Sequence, residues 1–164
     1  MAKGLNGFTL ELKETYQKPL INLADWHGYY ALLDTGALFP VWTADEKILP
    51  KLGAQFIKAD VPFSGFGGET AGNLYRLKEF RLGNLVFPDM PVVTSKEMAS
   101  EPYHIILSAT MMQNLIYTID DKHHKLTVEI PEDESLERHM RIYDKAGRLY
   151  VLCGNGENKG ASED

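Results

Sequence analysis

Short apolar runs recur between turn residues along this chain and never lengthen into an amphipathic helical pattern, which constrains its fold more than any other feature. Runs rich in Val, Ile, Leu, Tyr and Phe at 8–12, 20–24, 29–34, 40–43, 54–61, 73–82, 85–87, 90–94, 103–107, 116–120 and 125–130 read as β-strands. Only two short helices are expected between them. One spans 44–52, with Thr43 as N-cap and Pro50 limiting its length; the other spans 108–115, with Ser108 as N-cap. "DWHG" at 25–28 and "DDKHHK" at 120–125 have the composition of hairpin turns. The pattern predicts an all-β fold, a closed or folded β-barrel with stub helices.

The chain has 164 residues, 44% of them hydrophobic, enough for one compact domain that buries a core without disulfides or a structural metal. Its single cysteine, Cys153, excludes an intramolecular disulfide, fits a reducing compartment and reads as a buried thiol rather than a nucleophile. Lys3, Glu11, Lys13 and Glu14 interrupt the first residues, so no signal peptide is expected there, and no apolar run reaches the roughly eighteen residues of a membrane span. These features predict a soluble, cytoplasmic protein. Seventeen Lys and Arg against twenty-three Asp and Glu give a net charge of −6, with the basic residues scattered, which argues against nucleic acid as the principal partner. Three segments are expected: a domain over 1–131; a C-terminal extension over 132–153, opening on the solvated acidic run "EDESLE" and forming a hairpin around "DKAG" at 144–147; and a glycine-rich, disordered tail over 154–164.

The chemistry centres on "YYALLDTGA" at 29–37. Asp34, Thr35 and Gly36 have the composition of an ordinary turn, in which Asp bonds its own backbone and Gly takes a positive φ. Behind a nearly all-apolar strand, however, an uncompensated carboxylate is costly, so Asp34 needs a partner. "SGFGGETAGN" at 64–73 is glycine-rich and flanked by strand-like sequence, which suits either a long hairpin or a plain flexible loop.

"PLINLADWHGYYALLDTGA", "FSGFGGETAGNLYRL" and "YHIILSATMMQNLIYTIDDKHHKLTVEI" together resemble, in order, the opening strands and catalytic turn, the flap, and the closing strand, helix and hairpin of the retropepsin-like aspartic proteases. The resemblance covers roughly residues 19–130. It implies a single-lobed acid-protease fold with Asp34 as the catalytic residue. Thr35, Gly36 and Ala37 would support its turn, and Gly65, Phe66, Gly67 and Gly68 would form a substrate-binding flap tip. It further implies a peptide or protein substrate, water as the nucleophile, and neither metal nor organic cofactor.

The tripeptide occurs once and no internal repeat supplies a second lobe, so on this reading Asp34 meets Asp34 of another copy in a C2 homodimer. The resemblance then has Thr35 bonding across the axis and Gly36 offering its N–H to the site. Ser108 stands where the family commonly has glycine, and Leu38 and Phe39 stand where retroviral members carry polar residues. Cleavage preference therefore does not transfer, and more apolar subsites are expected.

Two other readings remain open: a catalytically silent dimer of the same fold that binds peptide strands, and an unrelated monomeric β-barrel with a structural Asp turn. Other chemistries are poorly supported. His123 and His124 are adjacent, and His27 and His104 lack ligands at metal-binding spacing. Ser64 and Ser108 lack a nucleophile elbow, while Met111 and Met112 read as core.

Overall fold

The computed structural model describes residues 7–13, 18–65, 68–95, 101–146 and 148–154. The expected all-β class is observed, with twelve strands among the described residues: β1 (Phe8–Glu11), β2 (Leu20–Leu23), β3 (Tyr29–Asp34), β4 (Val41–Trp42), β5 (Gln55–Gly65), β6 (Gly68–Leu82), β7 (Leu85–Thr94), β8 (Ile105–Ser108), β9 (Ile116–Asp120), β10 (Lys125–Glu129), β11 (His139–Lys145) and β12 (Arg148–Gly154). They form a seven-stranded sheet in the order β2-β3-β8-β4-β7-β6-β5, a three-stranded sheet β1-β10-β9, and the hairpin β11-β12. The seven-stranded sheet is mixed: β3 runs parallel to β8 and β4 parallel to β7, while the remaining neighbours are antiparallel.

Turn chemistry sets the hairpins. His27 and Gly28, with φ of 59° and 68°, carry the chain from β2 to β3. Gly83 and Asn84 join β6 to β7 in a two-residue loop with φ of 59° at Gly83, and a Cβ there would lie 2.3 Å from the Phe8 ring, so the turn and the close packing both require glycine. The runs 85–87 and 90–94 are one strand rather than two. Pro88 pairs with Glu79 and Met90 with Leu77, so the ladder passes straight through the expected break.

The helices are shorter than their sequences suggested; the Thr43 cap is corrected, while Ser108 holds its expected N-cap position without a side-chain capping bond. The 3-10 helix Glu46–Leu52 is capped by Asp45, whose carboxylate accepts the Lys47 amide at 2.9 Å; Thr43 is instead fully buried and donates to the Tyr103 carbonyl at 2.8 Å. Ser108 precedes the 3-10 helix Ala109–Met112, but its side chain makes no cap.

The core is continuous. Trp26 and Trp42 are buried, with their indole N–H groups donated to the carbonyls of Glu79 and Asp45, so large apolar area is buried without stranding a donor. Tyr29 and His104 stack beside them, with ring centroids 4.2 Å apart. The hairpin at 139–152 forms from β11 and β12, and Met140, Val151 and Cys153 face inward as part of the same core. Gly147 in its turn, and residues 155–164 of the expected disordered tail, lie outside the described residues.

Candidate active site

β3 begins with partly exposed Tyr29 and Tyr30, then runs through fully or nearly buried Ala31, Leu32 and Leu33. This apolar run explains why the strand sits inside a sheet, flanked by β2 and β8. Asp34 is its last residue and is only partly buried, so its carboxylate leaves the core where the strand stops. It pairs in register with Ser108, the last residue of parallel β8, and both strands therefore end at one edge.

The turn that follows is tightly specified. The Ala37 amide donates to the Asp34 carbonyl at 3.0 Å, closing a four-residue turn, and the Gly36 amide donates to Asp34 Oδ1 at 2.9 Å. The turn and the placement of the carboxylate are thus one arrangement. Its glycine is not left-handed: Gly28, Gly53 and Gly83 are the described glycines with positive φ, so Gly36 does not take the conformation expected of it. A Cβ on Gly36 would lie 3.4 Å from Asp34 Oδ1, an ordinary contact within the chain. Gly36 and Thr35 are both exposed, whereas Ala37 is buried.

The pedestal beneath the turn comes from the segment after β8. The Ala109 amide donates to the Ala37 carbonyl at 2.9 Å. Thr110 Oγ1 donates to the Leu38 carbonyl at 3.1 Å and lies 2.7 Å from Ser108 Oγ. Because the single Thr110 proton goes to Leu38, the Ser108 hydroxyl donates to Thr110. Ser108 is completely buried, and this chain of bonds explains how a hydroxyl is accommodated there without an unsatisfied group. Leu38 is 51% exposed and contributes apolar surface beside the turn, while Phe39 is only 3% exposed and belongs to the core. Of the three residues that depart from the family pattern, Ser108, Leu38 and Phe39, only Leu38 faces outward.

A cleft of about 380 Å³ opens at Asp34 and is lined by Lys18, Pro19, Leu33, Asp34, Thr35 and Ile119. Lys18, Pro19 and Ile119 were not foreseen as site residues. They arrive from the approach to β2 and from β9; Pro19 and Ile119 lie within the segments that carry the resemblance, but nothing in those segments sets them apart as lining a cleft.

The glycine-rich segment forms a long hairpin of β5 and β6, paired as far as Gly65 with Gly68. Phe66 and Gly67, expected at its tip, lie outside the described residues. Its ladder slips between Phe56 and Lys58 and again between Lys58 and Val61, and Asp60 in that stretch has φ of 54°. At its root a polar cluster ties four elements together. Asn73 Nδ2 and the Tyr75 hydroxyl both donate to Glu46 Oε2, at 2.9 and 2.7 Å, the Asp60 amide donates to Asn73 Oδ1 at 3.2 Å, and the Asn73 amide donates to Thr94 Oγ1 at 3.0 Å. Burial, followed by the bond to Glu46 and its negative charge, pushes the Tyr75 phenol up to about 12.

The histidines do not converge on a metal site: among the described residues, no group of three or more His, Cys, Asp or Glu is arranged to hold an ion. His123 bonds Asp120 in the β9–β10 turn, and His104 accepts the Tyr30 amide at Nδ1. Among the described residues no helix is long and apolar enough to cross a membrane.

Comparison with known proteins follows the same residues. No curated protein sequence matches the chain. A crystal structure of a retropepsin-like aspartic protease from Rickettsia conorii is similar at 13% identity, over 90% of this chain and 92% of that one, with a TM-score of 0.49. The family described as aspartyl protease matches residues 27–116, more than half of the chain and inclusive of the Asp34 turn, the β5–β6 hairpin and the Ser108 pedestal. The chain belongs to the aspartyl protease family.

Proposed function

We propose that this chain is one subunit of a homodimeric, retropepsin-like aspartic endopeptidase in which Asp34 from each of two subunits forms the catalytic pair. One observation carries the reading. Asp34 ends a buried strand at the mouth of a cleft, held by its own turn, and the sequence contains no second Asp-Thr-Gly to complete a dyad within one chain. A C2 axis beside Thr35 supplies the second carboxylate, because an isologous contact brings the same residue to both sides.

Two carboxylates at close range cannot both ionise easily, so they hold one proton between them. The ionised member takes a proton from water as the water attacks the scissile carbonyl, and the protonated member donates to the carbonyl oxygen. On this reading exposed Thr35 bonds across the axis, and the β5–β6 hairpin closes over an extended peptide through backbone groups of Gly65 to Gly68. Exposed Leu38 supplies apolar surface next to the scissile position. The chemistry requires no cofactor, and the mildly acidic chain acts on peptide rather than nucleic acid, in a cytoplasmic setting.

Peptide-library digestion by wild type and Asp34→Asn tests the reading. Wild type cleaves, while the variant remains a folded dimer and does not. Undiminished cleavage by Asp34→Asn overturns it. A folded dimer in which wild type binds peptides but leaves them intact favours the silent-binder reading instead.

A further inference from the structure

Arg138 is completely buried, yet it belongs to the C-terminal extension and lies outside the residues matched by the family. Its Nε donates to the Met111 carbonyl at 3.2 Å, its Nη2 to the Gln113 carbonyl at 2.5 Å, and its Nη1 to Glu134 Oε1 at 3.2 Å. A buried cation is costly unless paired and fully bonded, and here two carbonyls and a carboxylate take up the guanidinium. The two carbonyls belong to the C-terminal end of the Ala109–Met112 helix and its cap Gln113, where Thr110 and Met112 accept the amides of Gln113 and Leu115 while Met111 and Gln113 accept from Arg138.

The opposite end of that helix grips the Asp34 turn, through the Ala109 amide to Ala37 and the Thr110 hydroxyl to Leu38. At about 2 Å of rise per residue the helix is a strut less than 10 Å long. Arg138 is itself anchored, because its amide donates to the Val86 carbonyl at 2.8 Å and the Val86 amide donates to Leu136 at 2.9 Å, fastening the extension to β7.

We propose that Arg138 is a positioning residue for the Asp34 turn, acting through the Ala109–Met112 strut, so that the C-terminal extension is a working part of the active site. The inference rests on the proposed protease reading for its kinetic consequence but not for its structural one. It is tested in the full chain with Arg138→Met, Arg138→Lys and Glu134→Gln, by peptide-cleavage kinetics and by amide hydrogen exchange.

Arg138→Met lowers kcat by about tenfold or more through misplacement of the turn, while KM stays within about twofold. Arg138→Lys, which keeps the charge and part of the bonding, recovers some of the loss. The Ala109 amide exchanges about tenfold faster in Arg138→Met, while amides of the β6–β7 ladder such as Leu77 keep wild-type protection. If Arg138→Met does not fold, Arg138→Lys and Glu134→Gln carry the same comparison with smaller shifts. Unchanged Ala109 protection, or a kcat loss that only follows the fraction of folded protein, overturns the proposal. If wild type fails to cleave any peptide, the protease reading fails, and the exchange measurement still decides whether Arg138 holds the turn.

Discussion

The Asp34 turn and the β5–β6 hairpin sit on one sheet and are built in opposite ways. Around Asp34, two buried parallel strands end together, and the turn is held by backbone bonds from Gly36, Ala37 and Ala109. At the far side, β5 is the outermost strand, its ladder to β6 slips twice, and the hairpin is moored by the Glu46, Asn73, Tyr75 and Thr94 side chains. On the proposed reading Asp34 meets its copy within hydrogen-bond reach, and a fixed backbone serves that contact. On the same reading the hairpin admits and covers a peptide, and a local anchor that leaves the strands beyond it free to bend serves that role.

The strongest perturbation of the hairpin is Gly72→Ala. A Cβ at Gly72 would lie 2.0 Å from the Thr94 carbonyl oxygen, so backbone must move, at a cost of about 3 kcal/mol. Denaturant unfolding should report that loss, and hydrogen exchange should show it concentrated in β5 and β6 while the Ala109 amide keeps its protection. Equal loss of protection at Ala109 would mean that the two regions are not independent.

Glu46→Ala is expected to have a smaller effect, about 2 kcal/mol, because it removes the acceptor shared by Asn73 and Tyr75. It also changes the response to alkali. With the Tyr75 phenol raised from 10.0 to about 12, the native state holds a proton that the unfolded chain loses first. That contribution is fully present below pH 10 and disappears as pH rises towards 12. Removal of Glu46 should bring the ultraviolet titration of Tyr75 back towards its ordinary value and narrow this window.

The smallest effect lies on the Asp34 side. Burial lowers the pKa of His104 below 6.5, and the ring accepts the Tyr30 amide while stacked on Tyr29. The unfolded chain takes up this proton first as pH falls, so the stability contribution is intact above pH 6.5 and declines below it. An NMR titration of the His104 ring should give a midpoint below 6.5; a midpoint at or above that value would show that the imidazole is not desolvated as the packing implies.

Much of the Asp34 side was legible in the sequence because its determinants are local. The apolar run 29–33, the turn residues 34–37 and the run 105–107 report their environments directly. Legibility failed where contacts are distant. Arg138 meets Met111 and Gln113 across folded chain, and a lone Arg after an acidic segment gives no sign of burial. The Glu46, Asn73 and Tyr75 cluster likewise joins residues whose separate patterns say only helix and strand. Thr43 has the composition of a cap, but burial gave its hydroxyl a different partner, the Tyr103 carbonyl, and left the cap to Asp45. The merged strand β7 shows tertiary pairing overriding the local break at Pro88 and Asp89.

The central claim is that two copies of Asp34 act together. Co-refolded mixtures of wild type and Asp34→Asn test it by the rate of peptide cleavage per wild-type subunit. In an equal mixture with random pairing, only wild-type pairs are active, so about half of the activity per wild-type subunit should remain, falling further as the variant is added in excess. Activity that stays proportional to the amount of wild type, whatever the excess of Asp34→Asn, would show that one Asp34 suffices and would contradict the account.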